Sequence, residues 1–551
     1  MAATRLKSLG SRCVLVEVDL KPSGSTVGGT YDRIGAAMRW RTIPPCLGIT
    51  VALTMSGCSS SGTGSSTPSA TTVADILSTP GATTTTTVAP TTASPTSSAP
   101  STTVATTTTV PAPPPVASAS TCPDGAPATL TCFTVAVPVD PAASGGTSVN
   151  LAVTVRRAST STWNAPVLSI LGTTPTYPWT DPKAAEVFSG HDMIWVDQRG
   201  AGRSDGVTKC PELATYSAEI NTINLGQEAT AALKACFAKA EQSVVPFASI
   251  FDHRTVAADT EVVRRALGIS TWALYAGSAG ADIALQLVDQ NPASVTALVT
   301  RTPTAVGAGG NANDLAAAFG RFAADCAAAP GCSKSGDLQQ ALSKTYARLA
   351  TPVTTKVIEA GTGVPVVLDQ VTVLDSMKSI GSITLSTLIA SLLPGGVDGS
   401  SDEAVAKAIA ANVMVDTSAW VLVAHCQNVD YLYPGLTTTA NDQAGIFAGY
   451  TTKRFCDAVG PLPQYSLRAH PTSTLPVLAV LPSYDPRSSV ATAKQIFSGF
   501  PDSTIVEVPR IVDPLSQLTD CFYATANAFL AAPSAQLDAS CLTSPAVATL
   551  A

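Results

Sequence analysis

The sequence predicts an α/β fold in which a mostly parallel sheet carries helices on both faces. Short apolar runs of the buried-strand type alternate with segments of helical periodicity. This alternation is typical of parallel sheets, because parallel strands are joined by crossovers that cover the sheet. Of the 551 residues, 45% are hydrophobic and 13% are charged, so the chain can bury a large core and is not disordered throughout.

Eight strand-like segments are recognisable, and the first two alternate polar with apolar residues around a turn, which predicts an antiparallel pair. In chain order they are residues 133–139, 149–155, 166–171, 192–196, 272–275, 295–300, 475–481 and 503–508. Helical patterns lie between them, at residues 255–267, 281–288 and 490–500. An Ala/Leu-rich region, residues 312–470, interrupts the alternation and predicts an inserted helical cap, with helices at 315–329, 338–347 and 403–413.

The N-terminal region differs in charge from the rest of the chain. Residues 1–41 contain seven Lys or Arg and three Asp or Glu, a net charge of +4. Because the whole chain has a net charge of −7, residues 42–551 carry −11. General nucleic-acid binding is excluded as a function, because such proteins are typically basic. We interpret residues 1–37, which lack a signal-type apolar run, as a misassigned start or an extra n-region of the export signal, not as a domain.

An export signal is predicted at residues 38–58. Arg39 and Arg41 precede an apolar run that is too short to span a bilayer comfortably and that ends at Met-Ser-Gly-Cys58. Small residues before a cysteine resemble a bacterial lipobox, after which Cys58 would be lipidated; an ordinary cleavage site beside an incidental cysteine is the alternative. Residues 59–121 are Ser, Thr or Pro at 42 of 63 positions, which predicts a disordered stalk. We therefore expect an exported protein that contacts the membrane through its lipid alone, on the outer face, or is secreted.

The region from residue 122 onward holds ten cysteines, an even number that favours disulfides over metal sites in an exported protein. They form five neighbouring couples, and pairing within each couple closes short loops. The couples are Cys122 and Cys132, Cys210 and Cys236, Cys326 and Cys332, Cys426 and Cys456, and Cys521 and Cys541. No Cys or His spacing is typical of zinc, and we expect neither a metal nor another cofactor.

A candidate nucleophile lies where the strand-like run at 272–275 meets a helical pattern. The sequence Gly-Ser-Ala-Gly at 277–280 is that of a nucleophile elbow, a sharp turn that requires small residues around the serine. Ser278 is the candidate nucleophile, and the N–H of Ala279 at the helix start is a candidate oxyanion donor. Ala276 stands where the motif usually has its first glycine. A Gly/Ala-rich helix entry without catalytic function is the alternative.

Further motifs, in the same order along the chain, resemble those of the secreted tripeptidyl aminopeptidase-like hydrolases, which are relatives of the proline iminopeptidases. The segment 197–204, Asp-Gln-Arg-Gly-Ala-Gly-Arg-Ser, resembles their Asp-Gln-Arg-Gly loop, and the Leu-Pro-Ser-Tyr-Asp-Pro segment at 481–486 resembles the strand end that carries their acid. The resemblance spans about residues 122–545. It implies an α/β-hydrolase fold, with a mostly parallel, eight-strand-type sheet in residues 122–311 and 471–551 and the cap in residues 312–470.

The resemblance also implies catalytic residues in the order Ser278, Asp485, His. Asp513 stands where the histidine is expected, and no histidine follows His470. An ionised aspartate is too weak a base to activate a serine, so the triad is predicted to be broken. Gly172 is kept from the family's His-Gly-Gly-Pro-Gly-like oxyanion loop, where this chain has Leu-Gly-Thr-Thr-Pro.

For Asp197 and Arg199, in the Gly-rich loop, we favour a structural function, a turn with a local ion pair, over direct catalysis. Three functions remain open for the whole protein. The first is a hydrolase relative with weak or absent activity that mainly binds a small peptide or ester-like ligand. The second is an active peptidase or esterase with a non-standard base such as His425, and the third is an envelope interaction protein with a vestigial pocket. We expect a monomer.

Replacing Cys58 tests the predicted lipid anchor. The Cys58→Ala variant should leave the membrane fraction after cell fractionation, because the thiol is the only group at the predicted cleavage site that accepts lipid. Cys46→Ala is the control and should remain with the membrane. A Cys58→Ala protein that is still found in the membrane fraction contradicts the lipobox interpretation.

Overall fold

The structure is a computed structural model. The residues that it describes are 7–9, 12–14, 115–142, 146–159, 164–171, 188–216, 227–242, 253–304, 312–329, 336–359, 362–368, 395–412, 470–485, 488–511 and 518–543. Several residues singled out by the sequence lie outside these ranges, namely Cys58, Gly172, Cys332, His425, Cys426, Cys456 and Asp513.

The chain divides into two units, Met1–Pro68 and Ser69–Ala551. The described residues of the first unit form an antiparallel hairpin of β1 (Lys7–Leu9) and β2 (Arg12–Val14), within the segment where the sequence predicted no domain. No helix in the described parts of either unit combines the length and the apolar composition needed to cross a membrane.

A nine-stranded sheet forms the centre of the second unit. Each of the eight strand-like segments predicted from the sequence is a strand of this sheet. The strands of this unit, including a separate hairpin of β10 and β11, are β3 (Ala117–Ser120), β4 (Leu130–Pro138), β5 (Ser148–Arg156), β6 (Val167–Leu171), β7 (Met193–Val196), β8 (Trp272–Gly277), β9 (Val295–Arg301), β10 (Val353–Glu359), β11 (Thr362–Leu368), β12 (Val477–Pro482) and β13 (Ser503–Val508).

The sheet is parallel through six strands and is extended at one edge by three antiparallel ones. Its spatial order is β13-β12-β9-β8-β6-β7-β5-β4-β3. Parallel pairing joins β6 to β7 on one side and to β8 on the other. The chain therefore moves outward from β6 to β7 and then crosses back over β6 to reach β8. The crevice beyond the carboxyl ends of β6 and β8 is thus a topological switch point, the place where sheets of this kind bind ligands.

Helices cover both faces of the sheet, as the alternation of apolar runs predicted. The described helices are α1 (Gln227–Glu241), α2 (His253–Ala266), α3 (Gly280–Gln290), α4 (Ala312–Ala328), α5 (Leu338–Arg348), α6 (Asp402–Asn412), α7 (Val490–Ile496), α8 (Thr519–Ala531) and α9 (Ser540–Thr543). Successive residues of β8 face opposite cores, because side chains alternate along a strand. Trp272 and Leu274 join the core that includes α2 and α3, while Ala273 and Tyr275 join the core that includes α8.

The insertion is helical at the three places that the sequence predicted, since α4, α5 and α6 occupy them within one to three residues. It is not helical throughout, which corrects the prediction of a helical cap. Between α5 and α6, β10 and β11 form an antiparallel hairpin with Lys356 opposite Pro365. Proline lacks a backbone donor and is tolerated in a strand that is paired on one side only.

The sheet also begins earlier in the chain than the sequence predicted. The strand Ala117–Ser120 pairs antiparallel with β4, so the last residues of the predicted stalk, 59–121, belong to the sheet edge. Three of its four residues are exposed. Backbone pairing with β4 and the packing of Ala117 against the core hold this strand, and composition carries little signal for either.

Three of the predicted cysteine couples are disulfide-bonded in the structure. They are Cys122 with Cys132, Cys210 with Cys236, and Cys521 with Cys541. Cys326 is also disulfide-bonded. The bridge to Cys236 ties α1, which the sequence did not predict, to the 3-10 helix Pro211–Tyr216 that follows Cys210.

A buried ion pair holds the loop after β7 in place. Arg199 is 0% exposed, and its guanidinium donates from Nε to Asp259 Oδ2 of α2 at 2.6 Å and from Nη2 to Asp259 Oδ1. It also donates to the carbonyl oxygens of Pro138 and Val139 at the end of β4, at 2.9 and 2.7 Å. These contacts all go to the scaffold, in agreement with the structural function favoured for Arg199.

The other residue of that loop is bonded in a similar way. Asp197 accepts from the Arg203 N–H at 2.9 Å and from Arg203 Nε at 3.1 Å. Its carbonyl oxygen accepts from the Ser204 hydroxyl, whose oxygen in turn accepts from the Ala152 N–H of β5 at 2.9 Å. The loop is therefore closed on itself and fastened to the neighbouring strand.

Removing Asp259 should destabilise the protein strongly. The Asp259→Ala variant leaves the Arg199 charge buried without its carboxylate, and we expect a loss of about 3–5 kcal/mol in the free energy of unfolding, measured by urea denaturation with disulfides intact. The Arg157→Ala variant is the matched control. Its pair with Asp192 is exposed at the arginine, 70% for the side chain, so the loss should stay below about 1 kcal/mol. Similar small losses in both variants would show that the buried pair does not hold the loop.

Candidate active site

Ser278 follows β8 directly, beside the topological switch point. Its φ of 51° lies in the left-handed region, which costs a residue other than glycine about 1–2 kcal/mol. Its N–H donates to the Arg301 carbonyl of β9 at 3.2 Å. Its carbonyl oxygen accepts from the Ala281 N–H at 3.0 Å and from the Thr304 N–H at 3.2 Å. These bonds hold a sharp strand-to-helix turn, the backbone geometry expected of a nucleophile elbow.

Close neighbours explain the small residues of this turn. A Cβ on Gly277 would lie 3.1 Å from Leu171 Cδ2 and 3.5 Å from Arg301 Nε. Leu171 is the residue paired with Gly277 across β6 and β8. A larger side chain at 277 would therefore push against both neighbouring strands. Ala276 lies inside β8 and is fully buried, where an extended backbone accommodates a Cβ.

Left-handed residues follow two further strands at the same edge of the sheet. Thr302, directly after β9, has a φ of 44°, and Arg510, after β13, has a φ of 57°. Thr302 is β-branched and 5% exposed, and its N–H donates to the Val480 carbonyl at 3.0 Å. Strain of this kind persists only where the surrounding structure enforces it, and it clusters at functional sites. Three of the four non-glycine residues with positive φ in the described part of the chain thus lie at this edge, and the fourth, Phe188, precedes β7 at the amino edge.

The predicted oxyanion donor, Ala279, lies at the start of α3. α3 begins at Gly280 with Ala279 as its N-cap, and no side chain caps it. The first N–H groups of a helix have no partner within the helix, and the positive end of its dipole lies there. Ala279 is half-buried and follows Ser278 directly, as the elbow geometry requires. The second predicted donor, Gly172, lies outside the described residues; Leu171, which precedes it, ends β6 opposite Gly277.

The predicted acid lies at the same edge. Asp485 is 1% exposed and follows β12, which is separated from β8 by β9 alone. Its N–H donates to the Pro482 carbonyl at 3.2 Å, and the neighbouring Tyr484 N–H donates to the Ile511 carbonyl at 3.1 Å. The loop after β12 is therefore bonded to the loop after β13. Asp513 comes two positions after Ile511 in the sequence and lies outside the described residues.

Within the described residues, no histidine is hydrogen-bonded to Ser278. His191 precedes β7 at the amino edge of the sheet, where its Nδ1 lies 2.7 Å from the Ala165 carbonyl oxygen. His470 precedes β12 and also lies before the amino edge. His425, which the sequence offered as an alternative base, is outside the described residues.

His253 is placed differently, and the sequence did not identify its partner. It begins α2, and its Nδ1 lies 2.6 Å from Oδ2 of Asp282 in the first turn of α3. Both side chains are buried, 5% and 1% exposed. An aspartate in the first turn of the helix that follows Ser278 was the available signal, but which residue it meets depends on how α2 packs against α3. The pair joins the two helices one turn behind the elbow.

The described residues hold no group of three or more His, Cys, Asp or Glu that could bind a metal ion. A cleft of about 360 Å³ opens elsewhere, between Arg157, Asp192 and the segment 267–271 that links α2 to β8. It lies at the amino edge of the parallel strands, away from Ser278. It is therefore not part of the candidate active site.

The family model of the alpha/beta hydrolase fold matches residues 176–356, which contain the elbow. That match agrees with the strand order of the sheet, the topological switch point and the left-handed backbone of Ser278. The chain has the α/β-hydrolase fold.

Among curated proteins, none matches the chain. Solved structures with a similar fold include a proline iminopeptidase of Mycobacterium smegmatis, 15% identical with a TM-score of 0.33, over 72% of this chain and 97% of that one. A serine hydrolase of Cycloclasticus zankles is 12% identical with a TM-score of 0.34, over 74% and 100%. A thermophilic esterase of Thermogutta terrifontis is 13% identical with a TM-score of 0.30, over 72% and 98%. At these values the likenesses carry no information on substrate or activity.

The left-handed backbone at Ser278 should affect the stability of the protein. Glycine accepts a positive φ without a Cβ clash, so the Ser278→Gly variant should be more stable to urea than Ser278→Ala, by about 1 kcal/mol. Both changes remove the hydroxyl group, so the difference reports the backbone alone. At Ser343, inside α5, the order should reverse by about 1 kcal/mol, because alanine is the better helix former. An alanine variant at 278 that is at least as stable as the glycine variant would show that the turn is unstrained.

Proposed function

We propose that this protein is an exported α/β-hydrolase-fold protein whose Ser278 site binds a small peptide or ester-like ligand and hydrolyses it weakly or not at all. The observation that carries the proposal is the elbow itself. A strained serine lies at the switch point of the sheet, with an uncapped helix start directly after it and a buried carboxylate two strands away. Preserving that geometry maintains a site for a polar ligand atom above Ala279.

The proposal of weak hydrolysis rests on the base. A serine hydroxyl is a poor nucleophile at neutral pH unless a nitrogen base removes its proton. The sequence has Asp513 at the position where its resemblance to the tripeptidyl aminopeptidase-like hydrolases implies a histidine. Two carboxylates near one another repel or share a proton, so Asp485 and Asp513 cannot replace an oriented imidazole.

The ligand class and the location follow from the same resemblance and from the N-terminal sequence. Peptide or ester-like ligands suit a site with one oxyanion donor and a serine. We further propose that Cys58 attaches the protein to the outer face of the membrane, with the Ser/Thr/Pro-rich stalk as its tether, and that the domain acts as a monomer without a cofactor.

A fluorophosphonate probe tests the proposed function, because it labels serines that a base has activated. Ser278 in the unmodified protein should react slowly or not at all, as measured by intact-protein mass spectrometry. The Asp513→His variant should label faster, since it supplies the missing imidazole. Recovery should be partial, because the Leu-Gly-Thr-Thr-Pro loop at 171–175 departs from the family's oxyanion loop; the loss of one such donor costs about 2.7–4 kcal/mol of barrier.

Two variants define the control and the contrary result. Ser278→Ala in the Asp513→His background must abolish labelling, which assigns the signal to this serine. Rapid labelling of the unmodified protein that His425→Ala abolishes would contradict the proposal and would favour an active hydrolase with a non-standard base.

A further inference from the structure

One helix of the insertion, α4, is fastened to the loop that carries Asp485. Arg321 donates from Nε and Nη2 to the Ser483 carbonyl oxygen, at 2.9 and 2.6 Å. One turn further along α4, Asp325 accepts a hydrogen bond from the Tyr484 hydroxyl group. Both contacts join residues that are distant in the sequence, and both end on residues that directly precede Asp485.

The same face of α4 also makes an aromatic contact with Tyr484 and carries a disulfide-bonded cysteine. Phe322 packs edge-on against Tyr484, with ring centroids 5.6 Å apart, and both residues are buried. Cys326, next to Asp325, is disulfide-bonded and 0% exposed. α4 therefore presents a fixed surface to the acid-carrying loop.

Asp325 also reaches the loop after β13. Its Oδ1 lies 3.5 Å from Arg510 Nε. The Arg510 N–H donates to Ser483 Oγ at 2.8 Å, and Arg510 is the left-handed residue three positions before Asp513. The carboxyl group of Asp325 thus contacts the loop after β12, which carries the predicted acid, and the loop after β13, to which the predicted base position belongs.

The tyrosine in this cluster keeps its proton. Burial, followed by the hydrogen bond to Asp325, raises the pKa of Tyr484 far above its usual range, and the nearby Arg510 and Arg321 offset this only in part. The hydroxyl group therefore remains a donor throughout the physiological pH range, which is what the contact with a carboxylate requires.

We propose that Asp325 is a positioning residue of the candidate active site. Through Tyr484 and Arg510 it fixes the loops after β12 and β13 relative to each other and to α4. A displacement of α4 is then passed on to Asp485, so that the insertion controls the arrangement of carboxylates without contacting the ligand. The inference rests on the proposed function only in placing the ligand at this edge of the sheet.

Amide hydrogen exchange, read by NMR or mass spectrometry, tests the positioning directly on the full chain. In Asp325→Ala, the N–H groups of Ser483, Tyr484 and Arg510 should exchange at least about tenfold faster, because losing hydrogen bonds to a charged group favours local opening. The N–H of Ser278, which is bonded to β9, should keep its rate.

The Asp402→Ala variant is the matched control. Asp402 pairs with Arg348 inside the insertion, at 3.0 Å between Oδ2 and Nη1. Both side chains of this pair are half-buried, as is that of Asp325. Its removal should leave exchange at Ser483 and Tyr484 unchanged. No acceleration in Asp325→Ala, or equal acceleration in both variants, overturns the proposal.

A conservative variant guards against general unfolding. Tyr484→Phe keeps the ring that packs on Phe322 and loses only the hydroxyl group. Combined with Asp325→Asn, its effect on exchange of the residue 484 N–H should be smaller than the product of the two single effects, because the changes remove one shared bond. A full product would show that the two residues act independently and would overturn the positioning through this bond.

A labelling experiment separates this inference from the proposed function. In the Asp513→His background, adding Asp325→Ala should slow fluorophosphonate labelling of Ser278 about tenfold or more, because misplacing the acid misplaces the base. Faster exchange without any labelling of Asp513→His would contradict the proposed function and support the positioning. Labelling that Asp325→Ala leaves unchanged, together with unchanged exchange, would contradict the positioning alone.

Discussion

The parallel pairing of β6 with both β7 and β8 is the constraint on which the candidate site depends. Because the chain crosses back over β6, β6 and β8 end side by side at the carboxyl edge of the sheet. Leu171 and Gly277 are paired there, and no Cβ fits comfortably at 277. The turn follows from this packing: a glycine lies between two strands, a serine has a left-handed backbone, and a helix without a side-chain cap begins directly after it.

The carboxyl edge is supported by buried polar pairs and hydrogen bonds that join the elements around it. Below it, the Arg199 and Asp259 pair fastens the loop after β7 to α2, and the His253 and Asp282 pair fastens α2 to α3. Above it, the residues of α4 hold the loop after β12. Buried charges without partners are costly, so each of these pairs specifies one arrangement of the elements that it joins. In this account, the strain at Ser278 persists because neighbouring elements cannot relax independently.

The sequence predicted the strands of the sheet well, because buried strands and amphipathic helices differ in the periodicity of their apolar residues. The elbow and the acid were also recognisable, since their motifs are local. The β10 and β11 hairpin was missed although its own segment is rich in Val and Thr, because the insertion as a whole is rich in Ala and Leu and was interpreted as helical. The contacts of Asp325 and the pairing of His253 with Asp282 could not be predicted, because they join residues brought together only by helix packing. The strand at 117–120 was missed because it is stabilised by backbone pairing.

The proposed function requires that the geometry of a hydrolase elbow is maintained without an imidazole that would activate its serine. A high-resolution crystal structure that covers residues 171–180, 413–469 and 512–517 tests it most directly, because it shows which groups surround Ser278 Oγ. We expect the carboxyl group of Asp513 on the loop after β13 and no imidazole nitrogen within about 3.2 Å of Ser278 Oγ. A nitrogen of His425 or His253 at hydrogen-bond distance from Ser278 Oγ, with a carboxylate on its other nitrogen, would contradict the claim.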